Sequence, residues 1–441
     1  MKKDENFIKK NFTLSILIIL ISGMITFLTS CNSDTEPVPD IPQQVHQQRS
    51  AKRGVSYSFS ILDDTKLLSP GVSWFYNWGP EVSSTLNTAL VNNKIDFVPM
   101  AWNGNFDATS IRNYKLLHPE CIYLLGFNEP NLTDQANMTP TVAAQKWVTF
   151  TALAKELNMK LVSPAMNYGT MTNYSDPIVW LDEFFTKVPL ADIDAIAIHC
   201  YMGNAYSMAS YVKRFKKYGK PLWMTEFCGW EKNISSVNSQ MNFMSEALNY
   251  LESNPDISRY AWFIPRANGA VESYPFMQLL TKTIPYELSA VGKVFVNMST
   301  LDKSVYYPTM QQIPAEHYSS LNLEADVLAN SWSGSIHLRP TTDVDGELDV
   351  TDFNADQWLE YLIDNGSVSN PKIEFRYTSP YDATLEILVD TQKTATVNLP
   401  NTGDDKSWAT VSTSLPLNKG KHTIRIKNTY GGTTLNWLRI K

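Results

Sequence analysis

The sequence predicts two domains: an α/β domain built as a (β/α)8 barrel, followed by an all-β sandwich of jelly-roll type. Three observations carry this. Short apolar runs recur eight times between residues 53 and 300, with segments of helical period between them. Those runs are apolar throughout rather than alternating, as parallel strands covered on both faces are. Beyond about residue 313 the helical period fades, and alternating runs divided by turn residues replace it. A chain of 441 residues is long enough for two or three domains. The expected boundaries are an export leader at 1–30, a tether at 31–51, the barrel at 52–304 and the sandwich at 312–441.

The leader comes first. Lys2, Lys3, Lys9 and Lys10 precede the apolar run 12–28, and Leu28-Thr29-Ser30-Cys31 closes it. A basic head, an apolar stretch and small residues before a cut describe an export signal. A membrane-spanning anchor is the competing reading, although about 17 residues is the short limit for a span. Cysteine directly after Leu-Thr-Ser resembles a bacterial lipobox. That resemblance implies cleavage before Cys31 and lipidation of its thiol, so a membrane partner is expected through the lipid. Losing the leader removes a net +2 and takes the chain from −7 to −9. Asp34 and Glu36 follow the cysteine closely, a pattern that accompanies export to the outer face of some Gram-negative bacteria. The expected location is the outer membrane, at the cell surface. Residues 32–51, with Pro37, Pro39, Pro42 and four glutamines, read as a solvated tether.

The barrel strands follow in order: Gly54-Val55-Ser56-Tyr57, Val72-Ser73-Trp74-Phe75-Tyr76, Asp96-Phe97-Val98-Pro99-Met100, residues 123–127, Leu161-Val162-Ser163-Pro164, Ala195-Ile196-Ala197-Ile198, Leu222-Trp223-Met224 and residues 260–264. Thr139-Pro140 opens the clearest helix, threonine as N-cap and proline at the first helical position. Segments 180–188, 211–218, 241–251 and 287–298 are also helical. A doubly wound open sheet is disfavoured because no glycine-rich phosphate loop follows the first strand. In the tail, Ile373-Glu374-Phe375-Arg376-Tyr377 and His422-Thr423-Ile424-Arg425-Ile426 alternate as antiparallel sandwich strands do.

Composition excludes some functions. No basic run lies beyond the N-terminus, which argues against nucleic-acid binding. Cys121, Cys200 and Cys228 are an odd number without a C-x-x-C pair, so neither a disulfide scaffold nor a thiolate zinc site is expected. Cys200 and Cys228, both at strand ends, leave a bridge open in an oxidising compartment. Twelve Trp and 21 Tyr exceed what a core requires, and such rings often line sugar sites.

Two glutamates then stand out. Glu129 ends the fourth strand, where Pro130 stops the ladder, and Glu226 ends the seventh. A lone glutamate at a strand end is ordinarily solvated. Two of them, on strands that face each other across a barrel mouth, can converge on one bond. Carboxyl groups about 5–5.5 Å apart imply a retaining mechanism. Glu129 is then the acid/base, its pKa raised by burial and the second carboxylate, and Glu226 the nucleophile. Asn128, beside the acid, can donate to the sugar 2-hydroxyl. His199 and Tyr201, two apart at a strand exit, project to one side; a satisfied core histidine is the plainer reading of His199. A metal role for it is weak, as no ligand spacing appears. Tyr76, Trp78, Trp102, Trp230 and Trp262 fall at or just past strand ends; each alone can be packing, and together they suggest a ring-lined cleft, with Trp102, Trp230 and Trp262 the first choices.

Residues 52 to about 300 resemble clan A glycoside hydrolases, and more closely glycoside hydrolase family 128. The motifs are Leu125-Gly126-Phe127-Asn128-Glu129-Pro130, His199-Cys200-Tyr201, Trp223-Met224-Thr225-Glu226-Phe227, and Arg53-Gly54-Val55-Ser56-Tyr57 with Trp74-Phe75-Tyr76-Asn77-Trp78. The resemblance implies a retaining β-1,3-glucanase, with Asn128, His199 and Tyr201 near the cleaved sugar. Endo action on β-glucan polysaccharide or oligosaccharide, by a monomer needing no catalytic cofactor, is the expectation. Another clan A β-glycanase, or a surface glycan-binding lipoprotein without catalysis, is the alternative. The tail resembles carbohydrate-binding module family 6 through Ala315-Glu316-His317-Tyr318, Trp358-Leu359-Glu360-Tyr361 and Asn436-Trp437-Leu438-Arg439-Ile440. Its usual stacking aromatic aligns near Asp405, and its asparagine ligand is Thr434. Glu316 and Glu324 offer oxygens that suit a structural calcium.

Overall fold

The eight apolar runs become eight parallel strands. The computed structural model describes residues 44–267, 275–322, 336–366 and 368–441. The strands are β1 (Arg53–Ser56), β2 (Trp74–Tyr76), β3 (Asp96–Phe97), β4 (Tyr123–Leu125), β5 (Lys160–Val162), β6 (Ile196–Cys200), β7 (Leu222–Phe227) and β8 (Ile257–Trp262). The helices between and after them are α1 (Asp63–Leu68), α2 (Ser84–Asn93), α3 (Ala108–Leu117), α4 (Pro140–Glu156), α5 (Pro177–Phe185), α6 (Ala205–Phe215), α7 (Val237–Ser253) and α8 (Ala290–Asn297). Thr139 caps α4, its side chain accepting from the Val142 amide, with Pro140 in the first turn.

Six strands form one sheet in the order β3-β2-β1-β8-β7-β6, and β4 pairs with β5 in a second. Isolated parallel bridges cross the two gaps between these sheets, Met100 to Leu125 at one and Val162 to Ala195 and Met166 to Ile198 at the other. Strand alternation then sorts the side chains. Trp74, Tyr76, Val98, Met100, Leu125, Val162, Ala195, Ala197, Trp223 and Ala261 pack together on the inner side. Their neighbours Phe75, Leu124, Ile196, Ile198, Met224 and Trp262 pack outward with the helices. Alanines facing tryptophans let large rings fill a narrow interior at crystal-like density.

The tail is antiparallel, as its alternation predicts, except where the short first strand runs parallel to its neighbour. It comprises β9 (Tyr307–Pro308), β10 (Gln312–Pro314), β11 (Ser320–Leu321), β12 (His337–Pro340), β13 (Leu348–Asn354), β14 (Trp358–Asn365), β15 (Lys372–Thr378), β16 (Ala383–Val389), β17 (Gln392–Leu399), β18 (Ala409–Ser414), β19 (Gly420–Tyr430) and β20 (Gly432–Ile440). One sheet runs β12-β13-β20-β15-β18 with β10 on β20; the other runs β11-β14-β19-β16-β17 with β9 on β14. The strands begin at Tyr307, slightly before the expected 312.

Residues Gln43–Lys441 form one compact unit, and polar contacts tie the sandwich to α7. The Leu338 amide donates to Ser245 Oγ at 3.0 Å, and Tyr318 Oη donates to Asn249 Oδ1 at 2.8 Å. His337 sits between Asp352 (2.6 Å) and the α7 residue Glu246 (3.2 Å). The bridge that Cys200 and Cys228 left open does not form: both are free, buried thiols. The leader, Cys31, most of the tether and Glu324 lie outside the described residues. Among the described residues no helix is long and apolar enough to cross a membrane.

Candidate active site

Three irregularities aim the polar side chains toward one another at the C-terminal ends of the parallel strands. In β4, Leu125 faces inward, yet Phe127 packs outward against Trp147, so alternation slips at Gly126. A Cβ on Gly126 would lie 2.7 Å from the Trp147 ring and 2.8 Å from the Val162 carbonyl, so only glycine fits there. Asn128 and Glu129 are then pinned by backbone bonds to Trp102 O (2.8 Å) and Ala165 O (3.0 Å). Glu129 itself has φ +43°, a left-handed backbone costing a non-glycine residue about 1–3 kcal/mol. In β7 the register against β6 shifts between Met224 and Glu226. Strict alternation from inward Trp223 would turn Glu226 outward; the bulge turns it back. His199 and Tyr201 need no such device, because they share the inward face of β6 with Ala197.

The two carboxylates meet as expected. One oxygen of Glu129, one of Glu226 and a ring nitrogen of His199 all lie within 4.8 Å of one another. Tyr76 Oη and Trp78 Nε1 donate to Glu226 Oε1 at 2.6 and 2.8 Å, and Tyr201 Oη donates to Oε2. His199 Nδ1 lies 2.8 Å from Glu129 Oε1 and 3.5 Å from Glu226 Oε2. Asn167 Nδ2 donates to Glu129 Oε1 at 3.0 Å. Asn128 Nδ2 donates to Gln135 Oε1 at 3.1 Å, leaving Asn128 Oδ1 buried without a protein partner. The expected sugar contact of Asn128 is therefore open on its oxygen.

The electrostatics correct one expectation. Burial does push the Glu129 carboxyl up, but the His199 and Asn167 contacts outweigh it and leave it below its ordinary range. For His199, burial pushes down, and the charges of Glu226 and Glu129 more than compensate, so it titrates above its ordinary range. The same contact between His199 and Glu129 thus favours the charged form of each.

An open cavity of about 610 Å³ lies over this cluster, lined by Trp78, Trp102, Asn128, Glu129, Gln135, Asn167, Tyr201, Glu226, Trp230 and Phe263. Trp102 and Trp230 are thus where the sequence placed them. Trp262 is not: it is fully buried, donates to Met277 O at 2.7 Å and packs on Phe227 and Phe295. Its neighbour Phe263 takes the inward face and stacks near Trp230. Tyr76 and His199 are fully buried behind the carboxylates instead of lining the cavity. Asn167, Gln135 and Phe263 were not among the expected site residues. Alternation along β8 could have chosen Phe263 over Trp262; Asn167 and Gln135 sit in loops with no comparable signal.

In the sandwich, Glu316 is buried, and its Oε2 has no hydrogen-bond partner. Burial pushes its carboxyl up to about 8. An orphaned carboxylate oxygen suits a cation, although among the described residues no further carboxylates gather round it as a metal cluster.

Residues 54–295 match the family described as the glycosyl hydrolase catalytic core. Residues 332–440 match carbohydrate binding module family 35, which replaces family 6 as the tail's relative. Among solved structures, the chain is 40% identical to a subgroup II endo-β-1,3-glucanase of glycoside hydrolase family 128 from Pseudomonas viridiflava, covering 56% of this chain and 98% of that one, with a TM-score of 0.52. A subgroup II endo-β-1,3-glucanase from Sorangium cellulosum is 34% identical, covering 56% and 97%, with a TM-score of 0.50. Among curated proteins, alkali-sensitive linkage protein 1 of Schizosaccharomyces pombe is 26% identical over 227 residues, 49% of this chain and 39% of that protein. The clotting factor G alpha subunit of Tachypleus tridentatus is 27% identical over 134 residues, 29% and 19% of the two chains. The chain thus spans well under half the length of either curated relative.

Proposed function

This chain belongs to the glycosyl hydrolase catalytic core family and, within it, to glycoside hydrolase family 128, and from that premise we propose that it hydrolyses β-1,3-glucan with retention of configuration. The observation that carries the reading is the closeness of Glu129 and Glu226, one oxygen of each lying within 4.8 Å of the other. Inverting enzymes hold their carboxyl groups about 6.5–9.5 Å apart, to admit a water between them and the sugar. The parallel strands, with bridges over both gaps, are read as a closed eight-stranded barrel with this pair at its mouth.

In the proposed mechanism Glu226, oriented through both oxygens by Tyr76, Trp78 and Tyr201, attacks the anomeric carbon. The glycosidic C–O bond breaks as Glu129 protonates the leaving oxygen, drawing that proton across the 2.8 Å contact with His199. Glu129 then takes a proton from the incoming water, and the water opens the glycosyl ester and frees Glu226. Trp78, Trp102, Trp230 and Phe263 supply faces for the sugar rings, and Asn128 Oδ1 accepts from a sugar hydroxyl. Endo action rests on the two subgroup II relatives, both described as endo-β-1,3-glucanases. A panel of laminarin, curdlan, cellulose and mannan tests the linkage. Turnover confined to the first two is expected, with oligosaccharides of several lengths as early products. Cleavage of cellulose or mannan instead would favour another β-glycanase.

Two parts of the reading lie outside the catalytic domain. Cys31 is proposed to carry the lipid that holds the protein to the outer membrane. Cys31→Ser should move it from the detergent phase to the aqueous phase in a phase-partition assay; unchanged partition would sink the anchor. Glu316 is proposed to hold a structural calcium together with Glu324. Chelation should then lower the melting temperature, and an unchanged melt would exclude the ion.

A further inference from the structure

In the proposed reaction the Glu129 carboxyl group has to keep one aim through two proton transfers. Two side chains meet the same oxygen of it: His199 Nδ1 lies 2.8 Å and Asn167 Nδ2 3.0 Å from Oε1. His199 comes from β6 and Asn167 from the loop after β5, so the carboxyl group is held from two directions. Asn167 is fixed in its role as donor. Its Oδ1 accepts from the Tyr168 amide at 2.8 Å, which turns Nδ2 toward Glu129. His199 can release a proton to its partner; an amide cannot, so the Asn167 bond is one of geometry and charge only.

The loop that carries Asn167 is stitched to the loop that carries Glu129. Asn131, two residues after Glu129 and fully buried, donates from Nδ2 to Asn167 O at 2.7 Å and to Tyr174 O at 3.2 Å. Its own carbonyl accepts from the Thr170 and Met171 amides at 3.1 and 3.0 Å. The Thr133 amide donates to Thr170 Oγ1 at 2.9 Å. Gly169 passes so close that a Cβ there would lie 2.5 Å from Asn131 Nδ2 and 2.5 Å from Asn131 O. Asn131 keeps this place although its Oδ1 is left buried without a partner, a cost that the other bonds have to offset. A reacting group has to be held to within about 0.5 Å, by neighbours that hydrogen bonds fix in their turn. Asn167 meets that condition for Glu129.

We propose that Asn167 is a positioning residue for the acid/base, which keeps the Glu129 carboxyl group aimed at the oxygen that leaves. The inference rests on the assignment of Glu129 as the acid/base. Its test compares Asn167→Ala with wild type on two substrates. Laminaritetraose has a leaving sugar that needs a proton, and dinitrophenyl laminaribioside has a leaving group that needs none. For laminaritetraose kcat should fall about 10- to 100-fold with KM near wild type, and the loss on the dinitrophenyl substrate should be several-fold smaller. Asn167→Asp has the same size and lacks the donor. It should show the same split with the melting temperature near wild type, so the test stands even where the alanine variant fails to fold. Equal losses on the two substrates, no loss on either, or a raised KM with kcat unchanged would each overturn the role given to Asn167. A wild-type protein inert on both substrates would instead overturn the assignment of Glu129, and the role of Asn167 with it.

Discussion

At the mouth formed by the C-terminal ends of the parallel strands two buried carboxylates share a dense set of donors, while in the sandwich the buried Glu316 leaves one oxygen with none. Burial alone penalises the charged form in both places. At the mouth, hydrogen bonds and the His199 charge outweigh it, and Glu129 is held below its ordinary range. In the sandwich nothing outweighs it, and Glu316 rises to about 8. The difference teaches what a buried carboxylate needs in order to work as a charge at neutral pH: donors supplied in advance by the fold, or a bound cation.

The comparison can be broken from either side. The largest effect is expected for Glu226→Gln, which keeps the shape and removes the proposed nucleophile. Turnover of laminarin should fall by about 10⁴-fold or more, with the melting temperature near wild type. Residual activity within tenfold of wild type would refute the role of Glu226. Next, Glu129→Gln should lose roughly 10³-fold on laminarin but far less on an aryl laminaribioside whose leaving group needs no proton. Equal losses on both substrates would show that Glu129 is not the acid.

His199→Asn tests the shared proton. His199 is held above its ordinary value by the charges of Glu226 and Glu129, so the basic limb of kcat/KM should lie above pH about 6.5. The variant should lose roughly 10²-fold, and its basic limb should move to lower pH, toward the carboxyl range. An unmoved limb would mean that His199 only packs.

The effect expected in the sandwich is on stability and leaves turnover untouched. A carboxyl raised in the folded state binds a proton that the unfolded chain has already released. Without a cation, Glu316 therefore stabilises the fold at low pH, and that stability is lost between the ordinary carboxyl value and about 8, at up to ~1.4 kcal/mol per pH unit. Glu316→Gln should flatten this dependence in chelator, as read by denaturant unfolding at pH 5 and pH 8. The same slope in both proteins would refute the contrast with the mouth.

What the sequence made legible follows the same division. Counting apolar runs placed Glu129 on the fourth strand and Glu226 on the seventh, and spacing by two placed His199 and Tyr201 together. These signals are periodic, so one sequence carries them. The bulge that re-aims Glu226 and the slip at Gly126 break the period, and only the family motifs anticipated their result. Trp262 was chosen for its size and position; parity along β8 gave the inward place to Phe263. The lowered Glu129 carboxyl was unreadable because it depends on donors from β6 and from the loop after β5, His199 and Asn167. The sandwich was legible as a class of fold through its alternation, while the state of Glu316 depends on what surrounds it in space.

The most direct test of the central claim follows product configuration by proton NMR during the first minutes of laminari-oligosaccharide hydrolysis. The close Glu129–Glu226 pair predicts that the β-anomer appears first and mutarotates to the α-anomer later. An α-anomer formed first would contradict the retaining mechanism and the roles given to both glutamates.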